Sequence, residues 1–203
     1  MAVINMERKW LFLFEPHTAS RWTKRALTSI KFSEIGHHHI DIPELTNWRR
    51  QHIPKHRILD FKVMATIRNP FDVLVTKWRF GPLRDKSFRE FFEERKETPE
   101  VMTPLKGLYK QASTIFYYEH LQSDLDYVFG GMLNLPDRNT AETTEGKKPW
   151  QEYYRGEFGM VRHLMDTWQS FLSISGYDIG YVGGELNCSI HQAARQRWTK
   201  PVV

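Results

Sequence analysis

The chain has 203 residues, 40% of them hydrophobic, and carries a formal net charge of +5. This length predicts a single domain, 1–203, with a core of its own, and the positive charge favours anionic partners without choosing among nucleotides, nucleic acids, membrane surfaces and acidic substrates. Its only cysteine, Cys188, excludes an intrachain disulfide, and because there is no signal-peptide pattern or membrane-length apolar run we expect a cytoplasmic protein.

The segment 10–30 predicts a buried strand, a tight loop and an amphipathic helix. Five consecutive apolar residues, WLFLF, suit a strand that is covered on both faces, and Pro16 cannot continue its ladder. The hydroxyls of Thr18 and Ser20 can cap the start of the following helix.

The first turns of that helix carry three cations, Arg21, Lys24 and Arg25. The positive end of the helix dipole disfavours them there. A bound anion would remove the conflict, because the amides of a helix N-terminus form a ready phosphate site. Long basic side chains that point to solvent would remove it as well, and the sequence leaves both interpretations open.

Three adjacent histidines, His37, His38 and His39, come after this helix. We expect a short strand over 37–42 and a turn or short helix over 43–50. Neighbours on a strand face opposite sides, and no cysteine lies nearby, so a metal site is not expected. The remaining interpretations are a hydrogen-bonded or solvated histidine run and a general base, for which a near-neutral pKa is suited.

The apolar segment 61–67 predicts a second buried strand, and Asn69 is a good N-cap for a helix that runs to Phe80. Arg68 therefore comes at the carboxyl end of a strand, where ligands bind in open α/β sheets. Its planar guanidinium suits a phosphate, although a carboxylate partner is the alternative. Thr76 follows two turns into the helix.

The rest of the chain continues the alternation of helices and strands. The further predicted elements are an amphipathic helix at 87–96, a loop at 97–104, a short helix at 105–112, a strand at 113–118, a helix at 119–133, a polar loop at 137–149 and a long helix at 153–174. The tail 180–203 gives no clear pattern. The alternation predicts an α/β fold with three layers, in which helices flank a mainly parallel central sheet.

The first strand-loop-helix unit is similar to a phosphate-binding loop in its order of elements only. The sequences G-x-x-x-x-G-K-[ST] and G-x-G-x-x-G are both absent, and the loop EPHTAS contains no glycine. We therefore do not expect an ordinary ATP or GTP site.

Four blocks in the order of the chain resemble the sulfotransferases that use 3′-phosphoadenosine 5′-phosphosulfate, in their short bacterial and phage-like form. The segment RNPFDVLVTKW resembles the block in which an Arg and a Ser bind the 3′-phosphate, with Arg68 and Thr76 at the same separation. YEHL from Tyr118 resembles the Y-E-D-L block, and SGYD from Ser175 resembles F-G-Y-D. The block that resembles the 5′-phosphosulfate loop, P-K-T-A/G-S/G-T-S, consists of Pro16, His17, Thr18, Ala19, Ser20, Arg21, Trp22 and Thr23.

The resemblance implies a P-loop-like sulfotransferase fold and an in-line transfer of a sulfuryl group to a hydroxyl or amine of a small-molecule or glycan acceptor. No metal and no nucleic acid take part in that reaction. Family members take the acceptor's proton with a His or Glu that follows the first helix, so His37, His38 or His39 is the expected base.

Departures from the family pattern concern charge around the leaving group. His17 stands where the family has Lys, and a protonated His17 can neutralise the leaving oxygen, as can Lys24 or Arg25 from the helix. His120 replaces the Asp of Y-E-D-L. The C-terminal R-K-G block is not visible, and Lys147 and Lys148 are the candidates for its phosphate contacts.

Three other functions remain as alternatives. A P-loop-like nucleotide or small-molecule kinase would need magnesium, for which the chain has no obvious Asp. A nucleic-acid-binding module would need its cations gathered together, whereas here they alternate with acidic stretches. A catalytically inactive protein of sulfotransferase fold would account for His17.

Overall fold

The computed structural model describes residues 2–35, 42–53, 60–105, 107–135 and 148–199. The chain forms two compact units. The first unit comprises Met1–Arg68, Leu105–Arg138 and Arg197–Val203, and the second comprises Asn69–Pro104 and Asn139–Gln196.

The described ranges contain seven strands and nine α-helices. The strands are β1 (Ala2–Asn5), β2 (Trp10–Phe14), β3 (Ser33–Ile35), β4 (Lys62–Ile67), β5 (Thr114–Tyr117), β6 (Tyr177–Val182) and β7 (Glu185–Ile190). The helices are α1 (Ser20–Thr28), α2 (Ile42–His52), α3 (Pro70–Phe80), α4 (Phe88–Arg95), α5 (Pro99–Met102), α6 (Leu121–Phe129), α7 (Phe158–Thr167), α8 (Gln169–Ser175) and α9 (Gln192–Trp198). Short 3₁₀ helices cover Leu108–Gln111, Tyr118–His120 and Trp150–Tyr154.

The first unit contains a mixed five-stranded sheet in the order β3-β1-β2-β4-β5. Strands β2, β4 and β5 are parallel to one another, whereas β1 pairs antiparallel with both β2 and β3. The α/β class is therefore confirmed, with parallel strands in the middle of the sheet. The sequence interpretation missed β1, because a four-residue strand at the start of the chain has too little pattern to recognise.

Aromatic residues from the strands pack against α1 and α6 in the core of the first unit. Phe12 stacks on Phe116 with ring centroids 5.2 Å apart, and Trp10 meets Phe129 of α6 edge to face at 5.4 Å. Leu27 of α1 is fully buried in the same cluster. These contacts anchor α1, and with it the loop that precedes it, to the sheet.

The second unit is organised around Phe71 of α3. Its ring lies 5.0 Å from Tyr154 and 5.2 Å from Trp168, centroid to centroid. The hydroxyl of Tyr154 donates to the carbonyl of Phe71 at 3.0 Å, and complete burial raises the pKa of Tyr154 well above its ordinary value. The predicted N-cap is confirmed, because the Asn69 side chain accepts a hydrogen bond from the Phe71 amide.

The predicted helix 153–174 is wrong as one element, because it consists of a 3₁₀ segment, α7 and α8. The 3₁₀ segment ends at Tyr154, and Gly156, with a left-handed φ of 78°, lies between this segment and α7. At Trp168 the backbone leaves the helical region, with φ −97° and ψ 10°, and its indole donates to the carbonyl of Val101 at 2.8 Å. The indole's buried hydrogen bond thus coincides with the break between α7 and α8.

Other boundaries also differ from the sequence interpretation. The predicted strand at 37–42 is wrong at its last residue, because Ile42 begins α2. Residues 36–41 lie outside the described residues. A short helix, α5, occupies part of the segment expected to be a loop. The uninterpreted tail forms the hairpin β6–β7 and α9.

No helix in the described ranges combines the length and the apolar character needed to cross a bilayer.

Candidate functional site

Three strands of the first unit end together at one edge of the sheet. Phe14 of β2 lies opposite Thr66 of β4, and Thr66 lies opposite Phe116 of β5. Because these strands are parallel, the residues that follow them meet at the carboxyl edge, where ligands bind in α/β sheets. Those residues include Glu15, Arg68 and Tyr118.

The loop between β2 and α1 has an unusual backbone for a glycine-free sequence. His17 has φ 62° and Ala19 has φ 61°, both in the left-handed region. Each non-glycine residue held there costs about 1 kcal/mol or more, so surrounding contacts must stabilise the loop. Such strained residues cluster at ligand-binding sites.

Thr18 ties this loop to the sheet. Its buried hydroxyl donates to the carbonyl of Glu15 at 2.6 Å and lies 2.6 Å from the hydroxyl of Thr66 on β4. The predicted helix cap by the Thr18 hydroxyl is therefore wrong, since α1 begins after Ala19, whose side chain makes no capping bond.

The start of α1 is arranged as an anion site would be. The amides of Trp22 and Thr23 both donate to the carbonyl of Ala19 at 3.1 Å. The amides of Ser20 and Arg21 come before these bonds and have no carbonyl one turn earlier in the helix. A left-handed residue followed by a helical one points successive amides into one concavity, which favours a bound anion.

Arg68 joins the loop to the end of β5. Its Nη1 donates to the carbonyl of His17 at 2.8 Å, and its Cζ lies 4.2 Å from the centroid of the Tyr118 ring. The side chain is only 6% exposed. A buried guanidinium beside the loop raises the local potential for anions.

Glu15 is a residue of this edge that the sequence interpretation missed. It is fully buried, and its carboxylate accepts a hydrogen bond from the amide of Tyr109 at 3.1 Å. Burial, and secondarily the Glu15 charge, raise the pKa of Tyr109 to about 12. The available signal was an acidic residue directly after five apolar ones.

Two predicted site residues of α1 are engaged in other contacts. Lys24 pairs with Glu34 of β3, with Nζ 2.5 Å from the carboxylate, so this ion pair has to open before Lys24 can approach a ligand at the loop. Thr23 is buried, and its hydroxyl donates to the carbonyl of Ala19 at 3.2 Å. Arg21 is exposed and Trp22 is half-buried, as is Pro16.

The remaining predicted site residues are distributed along the chain. Thr76 belongs to the second unit, where its hydroxyl donates to the carbonyl of Asp72 at 2.8 Å. Lys148 is exposed, and His120 ends the 3₁₀ segment after β5. Outside the described residues lie His37, His38, His39 and Lys147.

Among the residues with described positions, no group of three or more His, Cys, Asp or Glu side chains could hold a metal ion. Comparisons of the chain with family models, curated proteins and solved structures found no match. Any function assigned to the site therefore depends on its geometry and on the motif resemblance.

Proposed function

We propose that this chain is a sulfotransferase that moves a sulfuryl group from 3′-phosphoadenosine 5′-phosphosulfate to a hydroxyl or amine of an acceptor. The observation that carries the proposal is the glycine-free loop at the carboxyl edge of β2. It holds His17 and Ala19 in left-handed conformations directly before α1, and a buried Arg68 contacts it. The resemblance of the loop sequence to the 5′-phosphosulfate block supports this choice over other anion sites.

The loop and α1 would hold the 5′ end of the donor. The amides of residues 18–21 are the donors for its phosphate and sulfate oxygens. Arg68 is a cationic side chain at this edge, and the resemblance assigns it to the 3′-phosphate. When bound, the donor supplies an activated sulfuryl group, and the contribution of the protein is to position it and to stabilise negative charge.

In the proposed transfer, a base removes the proton of the acceptor hydroxyl as its oxygen forms a bond to sulfur. The bond between sulfur and the bridging phosphate oxygen breaks, and adenosine 3′,5′-bisphosphate leaves. His17 is the side chain of the loop that can donate a hydrogen bond or a positive charge to that leaving oxygen. The proposed base is His37, His38 or His39.

A nucleotide-binding protein without transferase activity is the second candidate. Two observations favour it: His17 replaces the family's Lys, and Lys24 is held by Glu34. Binding of the nucleotide is common to both candidates, whereas formation of adenosine 3′,5′-bisphosphate from the donor distinguishes them.

Calorimetry with adenosine 3′,5′-bisphosphate, AMP and ATP tests the proposed site, each with and without magnesium. We expect the bisphosphate to bind at least tenfold more tightly than AMP, without a requirement for magnesium. Arg68→Ala should weaken bisphosphate binding at least tenfold, because it removes the buried cation. Arg89→Ala is the matched control, since Arg89 pairs with Glu157 in the second unit.

Two outcomes count against the proposal. No binding of the bisphosphate by the unmodified protein removes the sulfotransferase site, and preference for ATP with magnesium replaces it with the kinase alternative. If the bisphosphate binds, conversion of the donor to adenosine 3′,5′-bisphosphate is then measured, with His37→Ala, His38→Ala and His39→Ala. Full turnover in all three variants would exclude the proposed base.

A further inference from the structure

A single guanidinium connects three segments of the first unit. Arg68 itself follows β4, its Nη1 donates to the carbonyl of His17 in the loop, and its Cζ lies over the ring of Tyr118 after β5, 4.2 Å from the ring centroid. The two contacts use different parts of the group. The centre of the guanidinium contacts the Tyr118 ring, and one of its N–H donors meets the loop.

We propose that Arg68, held by the Tyr118 ring, is a positioning residue for the loop. The inference deepens the proposed function, because this is the loop assigned to the 5′-phosphosulfate. It adds to the role that the motif resemblance gives Arg68, which is to contact the 3′-phosphate.

The geometry explains how one carbonyl can orient the loop. The carbonyl of His17 and the amide of Thr18 belong to the same peptide plane, so fixing the oxygen also fixes the direction of that N–H. Thr18 is fixed on its other side, because its hydroxyl contacts Glu15 and Thr66. The peptide between two restrained points keeps His17 in its left-handed conformation and leaves the loop amides in order before a ligand arrives.

Hydrogen exchange of the intact protein without ligand provides the first test. Tyr118→Leu removes the ring, and Tyr118→Phe is the matched control that keeps it. We expect loop amides at residues 17–21 to exchange at least fivefold faster in Tyr118→Leu and within twofold of the unmodified protein in Tyr118→Phe. Amides of β1 should stay unchanged in both variants, which separates a loop effect from general destabilisation.

Binding of inorganic pyrophosphate provides the second test, because this probe has no base that could touch the Tyr118 ring. We expect Tyr118→Leu to weaken its binding about tenfold and Tyr118→Phe to leave it within twofold. Equal loop exchange in all three proteins overturns the proposal, and so does unchanged pyrophosphate binding in Tyr118→Leu. If the unmodified protein binds no anion, the proposed function fails, while the exchange experiment still decides whether Tyr118 positions the loop.

Discussion

The hydroxyl of Thr18 is shared between the carbonyl of Glu15 and the hydroxyl of Thr66, and all three residues are fully buried. Removing one member leaves a buried polar group unsatisfied, which costs more than the hydrogen bond contributes. Such contacts offset the strain of the left-handed residues in the loop. The loop is thus stabilised by hydrogen bonds among buried polar groups.

A mutant cycle tests this pair. We expect Thr18→Val and Thr66→Val each to lower the free energy of unfolding by about 1–3 kcal/mol. The loss of unfolding free energy in the double variant should be smaller than the sum of the two single losses by roughly 0.5 kcal/mol or more. The reason is that each single variant leaves one buried hydroxyl without its partner, whereas the double variant removes both. Urea denaturation gives the values. Thr28→Val is the control, since its exposed hydroxyl bonds to Arg25, and additivity of the two substitutions would contradict the contact.

The raised pKa of Tyr109, a residue in contact with Glu15, predicts that the stability of the fold depends on pH. Its pKa is raised to about 12 by burial and by the charge of Glu15, and so the folded state favours the neutral phenol. Its contribution to stability is complete below pH 10, the ordinary pKa, and is lost as the pH rises from about 10 to 12.

We expect the unfolding free energy to fall less steeply over this pH interval in Tyr109→Phe, measured by urea denaturation at a series of pH values. Glu15→Gln should lower the Tyr109 pKa, read from absorbance of the phenolate, since it removes the second cause but not the first. An unchanged pH slope in Tyr109→Phe would show that Tyr109 titrates normally.

At the scale of helices and strands, predictions from the sequence were correct where the structure of a segment depends on the residues of that segment. The Asn69 cap and the run of buried residues in β2 are examples. They failed at the 153–174 helix, where the break at Trp168 coincides with a hydrogen bond from its indole to Val101, a residue 67 positions away. The hairpin β6–β7 escaped notice although its turn, Gly183 and Gly184, is a strong hairpin signal.

The hairpin turn gives a prediction for one element. Gly183 has φ 60° and Gly184 has φ 83°, as a type I′ turn requires. A Cβ at Gly183 would meet no atom within 4 Å, so only backbone strain matters. We expect Gly183→Asn to change the unfolding free energy by less than about 0.5 kcal/mol, because Asn tolerates this region, and Gly183→Val to cost about 1–2 kcal/mol. Thermal unfolding compares the two, and equal stability would exclude the turn.

At the scale of the whole molecule, many cations are matched by nearby carboxylates. Side-chain ion pairs are found throughout both units, between Lys9 and Asp60, Lys24 and Glu34, Lys31 and Glu7, Lys86 and Glu94, Arg89 and Glu157, Lys96 and Glu93, and Arg155 and Glu185. These pairs leave the net charge of +5 unchanged, but they set acidic side chains beside basic ones in both units. This favours a small anion over a nucleic acid as the partner.

Salt dependence of oligonucleotide binding tests that preference. Each phosphate contact to a single strand contributes about 0.7 to the slope of log K against log salt concentration. We expect a slope with a magnitude below about 2, corresponding to fewer than roughly three contacts. Fluorescence anisotropy with a labelled single-stranded oligonucleotide gives the slope, and a magnitude of about 4 or more would bring back the nucleic-acid-binding alternative.

The sequence by itself determined the α/β class, the buried strands β2, β4 and β5, and the appearance of Arg68 at a strand end. Each follows from the polarity and shape of adjacent residues. Tertiary structure decided that β1 makes the sheet mixed, that His17 and Ala19 adopt left-handed conformations, and that Arg68 meets the carbonyl of His17, 51 residues earlier. These depend on strand pairing, which brings distant residues to one edge and supplies the contacts that offset local strain.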